Sequence, residues 1–309
     1  MTDRDSSQRF PTWRQTEALF LTLGIWIAGL TGSELTGAES TVFPVGVAQG
    51  NKKAALPAPF RATPATSDTP PPQTPAEALR SFHVRPGFEV ELVAAEPLVV
   101  DPVAVDFGPD GRLWVAEMHD YPAGLDGDFK PGGRISVVTD TDGDGQFDRA
   151  VRLVDDVPFP TGVLAWKKGV LVCAAPDIFY LEDTDGDGRP DIRQTLYSGF
   201  ATHNYQARVN TLRWGLDRWV YGAAGLFGGT IRSHLTGKDH PLSGRDFRIH
   251  PDTGEFESVG GLSQQGRVRD DFGNGFGCDN GAWMWHFPFP ERYLARNPAL
   301  TVPDSRVYV

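Results

Sequence analysis

Cysteine is nearly absent: 309 residues hold two, Cys173 and Cys278, with no Cys-x-x-Cys pair. That excludes a thioredoxin-like redox motif and a zinc ribbon. The lack of Cys-x-x-Cys-His excludes an attached c-type haem. Both thiols read as small buried side chains in strand-like contexts, and a disulfide between them would require export. No His-x-His or His-Glu-x-x-His pattern marks zinc, and no Gly-x-Ser-x-Gly elbow marks a serine hydrolase. Positive charge is also short. Lys and Arg total 29 against 40 Asp and Glu, a net charge of −11 with a pI near 5.1. Nucleic acid is therefore excluded as a natural partner, and cations are favoured. No apolar run reaches the roughly 20 residues of a membrane span.

The longest apolar run, Ala18–Leu30 (ALFLTLGIWIAGL), follows Arg4, Arg9 and Arg14 and precedes Thr36-Gly37-Ala38. This layout reads as a secretory signal peptide over residues 1–38, with an uncleaved anchor as the alternative. The rest of the chain is then exported, periplasmic or associated with the cell envelope, and touches a membrane only through that segment. Residues 39–76 are rich in Pro, Ala and Thr and read as a disordered linker. Residues 77–309 read as the folded domain. Phe88-Glu-Val-Glu-Leu-Val alternates as a half-buried strand does.

Gly (35) and Pro (25) make this domain turn-rich. Two acidic loops recur 43 residues apart, Asp140-Thr-Asp142-Gly-Asp144-Gly-Gln146-Phe-Asp148 and Asp183-Thr-Asp185-Gly-Asp187-Gly-Arg189-Pro-Asp191. Each follows a short apolar run, as a turn between two strands does. A second unit, strand–turn–strand, begins at Pro102, Pro160 and Arg208, with a degenerate copy at Asp271. Inner and outer hairpins alternating at this period predict an all-β propeller, with about four blades present and closure requiring more. The chain is thus expected to be the front part of a longer protein. Trp114, Trp166, Trp214 and Trp219 recur in the inner hairpins and read as blade-packing core. His83, His234, His240 and His250 read as solvated surface, and His119 as facing the channel.

Calcium needs six to eight hard oxygen ligands. Positions 1, 3, 5 and 9 of the loops offer the carboxylates of Asp140, Asp142, Asp144 and Asp148, then of Asp183, Asp185, Asp187 and Asp191. Position 7 offers the backbone carbonyls of Gln146 and Arg189. Neither loop has the closing Glu of an EF-hand, and the flanks are strands. The competing reading is a plain Asp/Gly turn, against which stands the mutual repulsion of four carboxylates.

Pro86-Gly-Phe-Glu-Val-Glu-Leu-Val-Ala-Ala-Glu-Pro, Pro109-Asp-Gly-Arg-Leu-Trp-Val-Ala-Glu-Met, Ala175-Pro-Asp-Ile-Phe-Tyr-Leu-Glu-Asp and Gly266-Arg-Val-Arg-Asp-Asp-Phe-Gly-Asn resemble one family. It is the membrane-bound dehydrogenase N-terminal propellers of PVC-type bacteria, themselves distantly similar to soluble quinoprotein glucose/sorbosone dehydrogenases. The resemblance covers roughly residues 80–300. It implies a six-bladed, TolB-like propeller, pyrroloquinoline quinone as cofactor, a sugar or alcohol as substrate, and a cytochrome c module in the same longer chain. On this reading His203 is the general base, near-neutral imidazole being suited to take a hydroxyl proton. Asn204, Gln206, Arg208, Asn210, Arg267, Arg269, Asp271 and Asn274 would hold the quinone carboxylates. The same residues can instead lock neighbouring blades and cap backbone groups. The protein is then a calcium-stabilised propeller that binds protein or glycan without catalysis, or a nonfunctional fragment of a longer cytochrome-linked protein.

Overall fold

In a computed structural model of the chain the described residues are 71–290, 293, 296 and 306–309. All lie within the unit Leu56–Val309. The secretory segment and linker residues 39–70 fall outside them. Among the described residues no helix is long and apolar enough to cross a membrane.

Among the described residues the fold is all-β and propeller-like: four antiparallel sheets, one helix, and no closed barrel. Helix α1, Pro75–Ser81, begins inside the stretch read as linker. A capping box explains it: Thr74 Oγ1 accepts from the Glu77 amide at 3.3 Å, and the Glu77 carboxylate accepts from the Thr74 amide at 2.8 Å.

The first sheet is a meander of β1 (Pro102–Phe107), β2 (Leu113–Glu117), β3 (Gly133–Thr139) and β4 (Arg149–Val157). The second continues with β5 (Gly162–Trp166), β6 (Gly169–Ala174), β7 (Asp177–Glu182) and β8 (Ile192–Phe200). The expected turns join them, Pro109-Asp-Gly between β1 and β2 and the two acidic loops at β3–β4 and β7–β8. The third sheet starts with β9 (Asn210–Trp214) and β10 (Val220–Ala223). The chain then departs through hairpin β11 (Gly229–Ser233) and β12 (Asp239–Leu242), and returns as β13 (Asp246–His250) and β14 (Glu255–Val259). The hairpin joins the second sheet, pairing β11 with β8 and making it six-stranded. Gly199 and Gly229 meet at this seam. Both have positive φ, and a Cβ on either would lie 2.1 Å from a backbone oxygen. The fourth sheet is β15 (Gln265–Arg269), β16 (Gly275–Asp279), β17 (Ala282–Phe287) and β18 (Val307–Tyr308). The inner strands β1, β5, β9 and β15 adjoin in sequence, as blades about an axis require.

Apolar layers fill two junctions. Trp114, Val137 and Leu153 of the first sheet share a cluster with Val170, Val172 and Phe179 of the second. Leu196, Tyr197 and Phe200 share another with Leu212, Phe247 and Phe256 of the third.

Three expectations need correction. Residues 88–93 form no strand, and Phe88 is 62% exposed. Alternation supplies a side-chain pattern, but a strand also needs a hydrogen-bonding neighbour. Here the bonds are a local turn, from the Phe88 amide to the Arg85 carbonyl at 3.1 Å, and one contact from the Phe147 amide to the Val93 carbonyl at 2.9 Å. His240 and His250 lie on strands β12 and β13, each with one buried ring nitrogen, so they are not surface groups. Trp214 is exposed where Trp114 and Trp166 are core. Both cysteines are free thiols.

Candidate functional site

The twin loops fold alike at positions 1, 3 and 5. In the first, Asp140 Oδ1 and Oδ2 accept from the amides of Gly143 (2.7 Å) and Gly145 (2.9 Å). Asp142 Oδ1 accepts from the Asp144 amide at 3.3 Å, and Asp144 Oδ1 from the Gln146 amide at 2.8 Å. In the second, Asp183 accepts from Gly186 (2.7 Å) and Gly188 (2.8 Å), Asp185 from Asp187 (3.1 Å), and Asp187 from Arg189 (2.8 Å). The glycines at positions 4 and 6 have φ between +79° and +91°, which lets the chain curl around the aspartates. In each loop, carboxylate oxygens of positions 1, 3 and 5 gather within 4.8 Å of one another. The position-9 groups are used differently: Asp148 binds the Thr141 hydroxyl and amide, Asp191 those of Thr184. The donated N–H groups, Gly145 first, hold the Asp140 carboxyl below the ordinary carboxylate range, and the Thr184 side chain does the same for Asp191.

Every bonded oxygen of positions 1, 3 and 5 retains a second lone pair. Three carboxylates with oxygens within 4.8 Å of one another, in two copies, are donors of the hard kind that calcium takes. Each loop is also braced from below. Phe147 packs against the cluster of Val99, Leu113, Val115 and Val138. The second loop leans on β4, where Gly188 abuts Val151 and Arg193 Nη1 reaches both Asp156 oxygens at 2.7 and 3.0 Å.

The segment 203–210 crosses from β8 to β9 and ties sheets together. Gln206 Nε2 donates to the Tyr121 hydroxyl at 2.7 Å. The Gln206 carbonyl accepts from Gln264 Nε2 (3.3 Å) and Gln265 Nε2 (2.9 Å). Asn204 Oδ1 accepts from the Gln206 amide at 2.9 Å. Buried Asn210 donates to the carbonyls of Arg208 and Gln264, both at 2.8 Å, and accepts from the Gly266 amide at 3.0 Å. Arg208 donates to the Thr202 carbonyl and lies 4.1 Å from the Tyr205 ring centre and 5.2 Å from that of Phe159. Burial pushes its pKa below the ordinary arginine range, opposed by Tyr205 and the charge of Asp120. His203 stands exposed, its ring edge-on to Phe227 at 4.1 Å. It lines a shallow recess of about 340 Å³ with Tyr121, Pro122, Asn204, Tyr205, Gln206 and Phe227. His119 lies elsewhere, held between Asp101 (3.3 Å) and Arg134 (2.9 Å).

The second predicted group opens on a different space. Arg267 and Arg269 line a cleft of about 660 Å³ between the third and fourth sheets. Arg267 Nη1 bonds Asp246 at 2.8 Å and the Gly260 carbonyl at 2.9 Å. Arg269 donates to the carbonyls of Trp214 (2.8 Å) and Asp270 (3.0 Å). Asn274 closes the β15–β16 turn on Asp270 at 2.7 Å, and Asp271 is exposed on that turn. The two groups therefore meet at the Asn210–Gly266 and Gln206–Gln265 seams, while their outward faces serve separate cavities.

Residues 74–309 match the family model described as Domain of unknown function (DUF7133). The chain belongs to that family. No curated protein matches the sequence. Among solved structures, this DUF7133 chain is similar to the PQQ domain of pyranose dehydrogenase from Coprinopsis cinerea, with 14% identity and a TM-score of 0.43 over 63% of this chain and 46% of that one. It is also similar to an auxiliary nutrient binding protein from Bacteroides ovatus, with 12% identity and a TM-score of 0.36 over 66% of this chain and 46% of that one. The DUF7133 chain thus spans about half the length of these two structures.

Proposed function

We propose that this DUF7133 chain is an exported, calcium-clipped propeller module that binds a glycan or protein ligand and carries no redox catalysis of its own. The observation that supports it best is the matching hydrogen-bond set at positions 1, 3 and 5 of the two aspartate loops, which gathers three carboxylates within 4.8 Å of one another in each copy. Asp140, Asp142 and Asp144 would hold one ion, and Asp183, Asp185 and Asp187 the other. The carbonyls of Gln146 and Arg189, with water, would complete the shells. Each ion neutralises its cluster and fixes an outer hairpin, so the role is structural.

Pyrroloquinoline quinone fits this arrangement poorly. Its carboxylates need convergent guanidinium groups, whereas Arg208 is held on Thr202 between the Tyr205 and Phe159 rings, outside the cleft that Arg267 and Arg269 line. Oxidation of a sugar or alcohol is the second reading, and the exposure of His203 beside Tyr121 favours it. One experiment separates the two. Protein supplied with calcium and the quinone is assayed for cofactor binding by dialysis and for aldose or alcohol oxidation with an artificial acceptor. Retained quinone with turnover would overturn the binding-module reading. Calcium binding without either supports it.

A further inference from the structure

We infer that the cleft between the third and fourth sheets binds a small organic anion, an acidic head group on an apolar body, at a site separate from the calcium clips. Cross-strand register puts Arg213, Tyr221, Arg248 and Glu257 in one row across the third sheet, each opposite the next. Arg267 of β15 lies 5.6 Å from the Tyr221 ring centre, so this row faces the fourth sheet. Leu212, Val220, Phe247, Ile249 and Phe256 alternate with the row, take the opposite face and join the core shared with the second sheet. One face of the third sheet is thus apolar and the other charged, and the charged face borders the cleft of about 660 Å³.

Guanidinium groups supply the donors. Arg213, Arg248, Arg267 and Arg269 line the cleft against two carboxylates, Asp217 and Glu257, in a chain of net charge −11. Arg248 engages both carboxylates, Asp217 at 2.8 Å and Glu257 at 2.5 and 2.9 Å. The other three arginines keep an open edge. The Arg267 side chain is 8% exposed, and its bonds to Asp246 and Gly260 both leave from Nη1, so Nε and Nη2 have no acceptor. Nη2 lies beside Gly275, which also lines the cleft and whose missing side chain leaves room there. Arg213 likewise uses Nη1 alone, on the Leu212 carbonyl (3.1 Å) and Asp106 (3.6 Å). Arg269 is held through Nε and Nη1 by the carbonyls of Trp214 and Asp270, and no carboxylate pairs with it among the described residues.

The open N–H groups select the charge of the ligand. Of the lining carboxylate oxygens only Glu257 Oε1 is unbonded, since both bonds from Arg248 go to Oε2 and both Asp217 oxygens accept. A head group that only accepts, such as a carboxylate or sulfate, fills the donor edges of Arg213, Arg267 and Arg269 with charge-assisted bonds. A neutral hydroxyl brings a donor with its acceptors, and one carboxylate oxygen is left to receive such donors. A purely apolar ligand would leave the guanidinium edges desolvated without partners. The rest of the ligand is set by Leu216, Phe272 and Phe289, which line the same cleft and are 63%, 89% and 50% exposed. Gly273 abuts Leu216, which brings the turn carrying Phe272 against the β9–β10 turn. Large apolar side chains left in water beside open cationic donors match an apolar body joined to the acidic head.

The full chain is titrated with octanoate, octyl sulfate, octan-1-ol and acetate, and binding is read by calorimetry. Octanoate or octyl sulfate should bind saturably, about tenfold or more tighter than octan-1-ol, which lacks the charge, and than acetate, which lacks the body. Arg269→Gln should weaken the anions about tenfold, the scale of one charge-assisted hydrogen bond, and leave octan-1-ol unchanged. Arg269→Lys, which keeps the charge, should recover part of the loss. Phe272→Ala should weaken the anions and the alcohol alike. Both side chains are exposed, so neither truncation threatens the fold. Trp283→Ala, 91% exposed on the fourth sheet outside the cleft, should change nothing. No saturable binding, octan-1-ol or acetate bound as tightly as octanoate, or binding indifferent to Arg269→Gln would overturn the inference. Melting curves in calcium and in chelator keep the two proposals apart. Octanoate binding without a calcium-dependent shift sinks only the clips, and a calcium-dependent shift without octanoate binding sinks only the cleft.

Discussion

Arg267 Nη1 meets Asp246 Oδ2 at 2.8 Å, and both side chains are almost wholly removed from solvent. Asp246 opens β13 and Arg267 sits in β15, so this pair fastens the third sheet to the fourth. The carboxylate also accepts from the amides of Ala224 (3.1 Å) and Ser263 (3.0 Å) and from the Ser263 hydroxyl (2.7 Å). Removing one member leaves a buried charge with no counter-ion. Asp246→Ala should cost about 3–5 kcal/mol of stability by denaturant titration. A loss below about 1 kcal/mol would place the fastening of this junction elsewhere.

Calcium should raise the melting temperature. For extracellular sites with Kd of about 10⁻⁴–10⁻³ M, about 10 mM calcium adds roughly 1.4–2.7 kcal/mol per site over chelator. Asp142→Asn and Asp185→Asn should each remove one loop's share. Identical melting curves in calcium and in chelator would reduce the loops to turns.

Acid should weaken the two loops late. Asp140 and Asp191 have depressed folded pKa values. Their contribution is present above the unfolded value of about 4 and is lost only as pH falls through the lower folded value. Asp106 runs the other way. Burial raises its pKa, against the Ala165 amide and Arg213, so its share is present at low pH and lost as pH rises through the folded value. Carboxyl NMR titration should find Asp140 below and Asp106 above the ordinary range. The reverse order would refute the described hydrogen bonding.

The thiols should stay reduced and slow even in an oxidising compartment. Burial pushes the pKa of Cys173 far up and that of Cys278 up less, and Cys278 donates to the Gln265 carbonyl at 2.8 Å. The raised pKa keeps the reactive thiolate scarce. Native protein should take up thiol reagent much more slowly than denatured protein, and intact mass should show two free thiols. A mass two hydrogens short would show a disulfide.

Chain order alone determined the hairpins, their turns and the acidic loops, because strand alternation, Asp-Gly turns and one-three-five carboxylate spacing act within a few residues. The 43-residue recurrence of those loops was enough to indicate blades. What the tertiary structure decided is which surfaces meet. Nothing local in Gly229–Leu242 says that this hairpin leaves the third sheet to pair with β8. Nothing local in Phe88–Val93 says that it finds no partner strand. Trp166 and Trp214 each end an inner strand, yet Trp166 pairs with Gly169 and is core, while Trp214 pairs with Val220 and is exposed. Asn210, Arg208 and Arg267 showed their polarity in the sequence. Only the packing of the sheets turned that polarity inward, toward backbone groups and Asp246.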